Sequence, residues 1–204
     1  MKRPASALAP CRQAGIALLT ALFVLLAVTM VALGVARIAF DAERGARGDR
    51  DRQLAFQAAE AGLADAERDI AGGADPVSLR AAMFRDDGAV GFVPGCGRDG
   101  ANLGLCAYSA GGPPAWQTVE VAATTPYGSY TGASLPALPY GGPLPLAPPR
   151  YVIELMPAAH AGEDAGAGRQ ALFRITAFGY GARAGTLVVL QSVYRRGAAV
   201  GEQP

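Results

Sequence analysis

The chain has 204 residues, room for one soluble domain of ordinary size and a membrane segment. Its formal net charge of +1 gives no electrostatic argument for binding nucleic acid, and 1 His with 4 Met leaves little material for a transition-metal site. Gly and Pro gather after residue 70, which favours a head rich in turns over a helical bundle.

Residues 13–36 carry no charge, and 16–36 read IALLTALFVLLAVTMVALGVA. Crossing the hydrocarbon core of a bilayer takes roughly 20 helical residues. In lipid, a helix is the single-segment way to satisfy every backbone N–H and C=O. Lys2, Arg3 and Arg12 precede the run, so the positive-inside bias puts the N-terminus in the cytoplasm and the remainder outside. Arg37 weakens that bias without reversing it. A secretory signal peptide would have a shorter apolar core ending at a small-residue cleavage site. A lipoprotein signal at Cys11 fails because the apolar run follows that cysteine.

Residues 41–70 read DAERGARGDRDRQLAFQAAEAGLADAERDI and are dominated by helix formers. Phe56, Ala59, Leu63, Ala66 and Ile70 recur at steps of three and four, which predicts one apolar packing stripe. Glu60, Asp65, Glu67, Arg68 and Asp69 are expected mostly off it, and the mixed-sign run from Asp41 to Arg52 reads as a solvated face or as inter-subunit ion pairs. Gly72 and Gly73 supply a stop. Apolar and amphipathic parts then join into one helix from about Ile16 to Ala71, roughly 80 Å long at 1.5 Å per residue. Gly45 and Gly48 each cost about 1 kcal/mol relative to Ala. They mark either a weak point where the helix unwinds on leaving lipid or a flexible linker.

Beyond Gly73 the helical signal fades. Cys96 and Cys106 enclose the Gly-rich loop CGRDGANLGLC. In an oxidising compartment the two suit a disulfide, with free thiols or half of a metal site as the alternatives. Residues 116–124 alternate apolar and polar and predict a half-buried strand. Residues 125–150 read as a long loop. Strands are expected over 151–156, 172–180 and 186–194, the last two joined as a hairpin by the turn 181–185. The expected fold class is α+β, a long N-terminal helix packed on a small antiparallel sheet.

Chemistry-bearing motifs are sparse. Gly95 to Gly100 matches GxGxxG, but without a preceding strand and following helix it carries no nucleotide argument. His160 lies in a polar loop. Glu163 and Asp164 lack the ligand spacing of a calcium loop. No catalytic residue, metal site or cofactor is indicated.

Several segments resemble the PilX-type minor pilins of the type IV pilus assembly system. Arg12-Gln13-Ala14-Gly15 followed by Ile16-Ala17-Leu18-Leu19 resembles a prepilin leader junction. The resemblance implies cleavage after Gly15 by prepilin peptidase and methylation of Ile16. The stretch from Asp51 to Glu67 resembles the family's helix signature, and Gly104-Leu105-Cys106 its cysteine-loop pattern. Phe173 to Gly181 and Val189 to Arg196 resemble its last two strands. On this reading the chain divides into a leader at 1–15, a transmembrane half-helix at 16–36, an amphipathic half-helix at 37–72 and a periplasmic head at 73–204.

Thr20 departs from the family pattern, since most pilins carry Glu as the fifth mature residue. A buried carboxylate is costly without a partner, and a subunit at the tip has no subunit above it. The resemblance therefore implies a minor pilin that primes or caps assembly. It would move from the inner membrane to the pilus tip. Its partners would be other minor pilins, the major pilin, prepilin peptidase, the inner-membrane assembly platform and the lipid bilayer. The alternatives are a K-like minor pseudopilin of a type II secretion system and a membrane-tethered adhesin exposing Trp116 and the tyrosines of 125–150.

Overall fold

Helix α1 spans Ile16–Ala71, and its end at Ala71 matches the bound expected from the sequence. The computed structural model describes residues 16–85, 90–135, 144–157 and 171–195. The helix is continuous through Gly45 and Gly48. It ends at the glycine pair, where Gly73 takes φ +63° and its N–H donates to the Arg68 carbonyl at 2.9 Å. By internal contacts the chain falls into two units, which meet within α1 between Gly48 and Asp49. The first contributes only exposed helix among the described residues.

In the second unit, 49–71 of α1 is followed by the single turn α2 (Leu79–Ala82), capped by the Ser78 hydroxyl on the Ala81 N–H. Next come β1 (Leu105–Ala107), the turn α3 (Ala115–Thr118) and β2 (Thr125–Pro126). Strands β3 (Arg150–Met156), β4 (Leu172–Tyr180) and β5 (Leu187–Arg195) follow among the described residues. The sheet order is β1-β3-β4-β5. The last three strands form an antiparallel meander, with Ile153 opposite Ile175 and Ile175 opposite Ser192.

The expected antiparallel sheet is present in the β3-β4-β5 meander, and one further strand joins it in parallel: β1 beside β3, with Leu105 opposite Ile153. The long connection from Ala107 to Arg150 permits this, as parallel pairing needs a crossover of about a dozen residues or more. Short β2 pairs antiparallel along the same edge of β3, with Thr125 opposite Tyr151.

Residues 116–124 are not a strand. They form α3 and a 3-10 turn at Val121–Ala123. Ala115, Val119 and Ala123, four residues apart, pack toward the disulfide and Val152. The turn-by-turn spacing won over the alternation, helped by Pro114 at the helix entry.

The sheet has two covered faces. On one, Tyr151, Ile153, Phe173, Ile175 and Ala177 pack with Ala66 and Ile70 of α1 and with Phe84, Phe92 and Leu105. Phe84 meets Phe173 edge-on at 5.7 Å and Phe92 at 6.0 Å between centroids. On the other, Val152 packs with Cys96, Cys106 and Ala123. Each large apolar side chain so buried contributes about 1.5–3 kcal/mol.

Helix and sheet approach closely. A Cβ at Gly179 would strike the Ala55 carbonyl and the Ala59 N–H and stand 2.8 Å from the Ala59 Cβ. One at Gly62 would lie 3.2 Å from the Ala177 Cβ.

Candidate functional site in the N-terminal helix and the head

The first 33 described residues of α1 present an uninterrupted exposed surface, and its apolar stretch includes Leu18 at 78% and Phe23 at 62%. The helix is long and apolar enough to cross a membrane, with mean hydropathy 2.8 in its most apolar window. Its hydroxyls are satisfied locally: Thr20 donates to the Ala17 carbonyl at 3.0 Å and Thr29 to Leu26 at 2.8 Å. Lipid would demand this of them, because it offers no competing partner. Thr20 thus places a neutral, internally bonded side chain on the helix surface.

The charges that follow pair within the helix, Arg44 with Asp41 at 3.9 Å and Arg47 with Glu43. All four are exposed, so these pairs add little stability.

From Asp51 onward the buried side of α1 differs from the expected stripe. Phe56 is 44% exposed and Leu63 only half-buried, while Asp51, Asp65 and Asp69 are buried together with Ala55, Ala58, Ala59, Gly62, Ala66 and Ile70. Asp65 and Asp69 lie off the apolar stripe, as expected, but are buried all the same. The Asp41–Arg52 run is also not wholly solvated, since Asp51 turns inward. Burying a carboxylate costs several kcal/mol unless its oxygens are bonded, and here they are.

Asp51 accepts from the Ala182 N–H at 2.6 Å and from the Thr186 hydroxyl at 2.5 Å, gripping the turn between β4 and β5. The Thr186 hydroxyl holds the Asp51 carboxyl below the usual aspartate value, against the opposing effect of burial. Asp65 accepts from the Gly128 N–H at 2.7 Å and from the Thr131 hydroxyl.

Asp69 holds Arg80, whose Nη2 stands 2.7 Å from its Oδ2, and accepts from the Tyr151 hydroxyl at 2.9 Å. Arg80 also donates to the carbonyls of Ala101 at 2.9 Å and Leu103 at 2.8 Å, and its guanidinium lies 4.2 Å from the Tyr130 ring centroid. Burial, and then the Asp69 charge, push the Tyr151 phenol well above its ordinary value, so it stays protonated and donates. Three carboxylates on one helix thus hold three separate parts of the head.

The sequence carried a signal for this. Positions 51, 55, 58, 62, 65 and 69 recur at steps of four and three, one residue behind the apolar stripe. The residues at those steps are small or acidic, so a hydrophobic criterion passes over them.

Cys96 and Cys106 form a disulfide that closes the loop between them, with S–S 2.05 Å. Cys96 adopts φ +68°, a conformation rare outside glycine. The loop also makes parallel bridges from Gly97 to Leu103 and from Val93 to Cys106. GxGxxG therefore lies in a knot of turns around a disulfide, followed only by the single 3-10 turn Gly100–Asn102, too short to hold a phosphate. Among the described residues no group of three or more His, Cys, Asp or Glu could hold a metal ion. His160, Glu163, Asp164 and the Gly15 side of the leader junction lie outside the described residues. Trp116, Tyr127 and Tyr130 are half-buried and do not form an exposed aromatic surface.

Comparison with known families gives two matches in chain order. Residues 14–64 match the model of the PilX N-terminal region, and residues 102–196 match that of the type IV pilus assembly protein PilX C-terminal region. No curated protein and no solved structure matches the chain.

Proposed function

The chain belongs to the PilX family of type IV pilus assembly proteins, and from that membership we propose that it is a minor pilin which primes or caps the pilus after prepilin peptidase cuts behind Gly15. The general role in pilus assembly follows from the family, and it is structural rather than catalytic. The observation that supports the finer reading is the exposed, charge-free and apolar helical surface over residues 16–36, in a helix whose later turns pack within the folded head. In this reading the segment 16–36 sits in the inner membrane with the N-terminus cytoplasmic and the head periplasmic. It later packs against the helices of other minor pilins and the major pilin, with the assembly platform driving the transfer.

Thr20 supports a place at the tip. It is uncharged and its hydroxyl is bonded to the Ala17 carbonyl, so, unlike a carboxylate, it needs no positive partner from another subunit. The same residue keeps a K-like pseudopilin of type II secretion as the second reading. The half-buried Trp116, Tyr127 and Tyr130 weigh against a stand-alone adhesin.

The test is the mature N-terminus, read by mass spectrometry after coexpression with a prepilin peptidase. N-methylated Ile16 is expected, and an intact chain starting at Met1 sinks the pilin pathway. Capture of secretion-system subunits in place of pilus subunits by the native protein would select the pseudopilin. Labelling that finds the protein all along the shaft would remove the tip assignment.

A further inference from the structure

Strand β5 ends the sheet and, among the described residues, pairs only with β4. The opposite side of the sheet ends in short pieces, β1 of 3 residues and β2 of 2. Short edge strands, Lys, Pro and bulges are the means by which a sheet edge is kept from pairing with another chain. β5 has none of them. It runs for 9 residues in unbroken register with β4, and from Leu187 to Tyr194 (LVVLQSVY) it carries no charge, no Pro and no Gly.

The phase of the hairpin shows which backbone groups are free. The Gly181 N–H donates to the Thr186 carbonyl at 2.9 Å, so 181 and 186 form a hydrogen-bonded pair. Such pairs alternate along an antiparallel ladder. Val188, Leu190, Ser192 and Tyr194 therefore turn their N–H and C=O groups to β4, and Leu187, Val189, Gln191 and Val193 turn theirs outward. None of these outward groups bonds to a described residue. They recur every second residue, roughly 6.8 Å apart. The side chains at this edge are also incompletely covered. Away from α1, Leu187 is 52% and Val193 65% exposed. On the α1 side Val188, Leu190 and Tyr194 are half-buried, as is Leu63, which packs against the same core cluster as Tyr194.

We infer that the outer edge of β5 is a strand-addition site, which takes an extended, uncharged segment of a partner protein as the next strand of the sheet. An extended polypeptide is the ligand that offers donors and acceptors at this two-residue spacing. The uncharged edge sets the second requirement, because a charged side chain laid against it would lose water without gaining a partner. A second copy of β5 does not fit. Gly179 of β4 meets α1 at Ala55 and Ala59, and Gly62 of α1 meets Ala177, so α1 runs against β4 and along β5. Two β5 strands paired about a two-fold axis would set their helices in opposite directions, whereas chains anchored in one membrane by residues 16–36 run the same way. That exclusion alone rests on the membrane reading; the strand-addition site concerns the head.

The test uses the full chain in detergent micelles and a capped peptide of alternating Thr and Val as the strand probe. Amide hydrogen exchange is read residue by residue by NMR. Without peptide, the amides of Leu187, Val189, Gln191 and Val193 should exchange faster than those of Val188, Leu190, Ser192 and Tyr194. Saturating peptide should slow the first group roughly tenfold, the order of one net hydrogen bond, and leave the second unchanged. The same peptide methylated on every backbone nitrogen, and one alternating Thr and Glu, should leave both groups unchanged. Gln191→Pro removes an outward N–H and no bond to β4, and should weaken the peptide roughly tenfold. Val193→Lys guards the edge from an exposed position and should weaken it likewise even if the proline variant fails to fold. Outward amides already protected in the free chain, or protected only as protein concentration rises, would overturn the inference. So would an equal response to either comparator peptide, or full binding in Val193→Lys.

Discussion

The two halves of α1 invert the usual relation between hydrophobicity and burial. Between Ile16 and Phe40 the helix carries Leu, Val, Phe and Ile, and these side chains are exposed. Between Asp51 and Ala71 the buried side carries alanines, a glycine, three aspartates and a single large apolar residue, Ile70, while Phe56 faces out. The first half is built to be solvated by something apolar. The second is built for closeness: small residues let the backbone reach Gly179, and the carboxylates then find donors on the head. What holds helix to head is thus a combination of short reach and satisfied polar groups, with large apolar side chains supplied mainly by the sheet.

The contrast can be broken most severely at Asp69. Asp69→Ala strands Arg80 in the interior without its carboxylate, and the expected loss is about 3–5 kcal/mol of head stability. Urea unfolding of the full chain in detergent, followed by the single Trp116, measures it.

Removing the disulfide by the double change Cys96→Ser and Cys106→Ser is expected to cost roughly 2–4 kcal/mol in the same assay. Gly179→Ala drives a methyl into the Ala55 and Ala59 backbone and should cost about 1–3 kcal/mol. A loss no larger than for Gly185→Ala, where the space is open, would show that the helix does not press on β4.

Asp51 gives a smaller, pH-dependent effect. Its folded carboxyl titrates below the ordinary value of 3.8, so its stabilisation is fully present above that value and is lost as pH falls through the depressed one. Asp51→Asn should therefore flatten the acid limb of the stability profile, and an unchanged limb would remove Asp51 from the clamp. At the other extreme, Leu25→Ala should leave the Trp116 unfolding midpoint where it was, since Leu25 is exposed and lies outside the head unit.

The long elements were legible because local signals agreed. Helix formers dominate the stretch up to the glycine pair despite Gly45 and Gly48, and β4 is rich in apolar residues from Leu172 to Tyr180 and bounded by a Gly-containing turn. Partner-dependent features were not. Nothing local to Asp65 announces that Gly128 and Thr131 will come to meet it, and nothing in Leu105-Cys106-Ala107 reveals a parallel partner in β3. Residues 116–124 misled because alternation over a short run fits both a strand and successive helical turns. Glu154 of β3 and Arg174 of β4, paired at 2.6 Å, were likewise not legible, because a charge on a strand reads as solvent-facing until its cross-strand neighbour is known.

The Asp51 contact also sets an order of events during synthesis. Its partners lie 131 and 135 residues further along the chain, on the turn before the last strand. At about 5–20 residues per second a ribosome needs on the order of ten seconds to supply them. Through that interval this end of the amphipathic half-helix has no latch. The final hairpin fastens it, so a chain truncated before Thr186 would lack that fastening however well its earlier segments had formed.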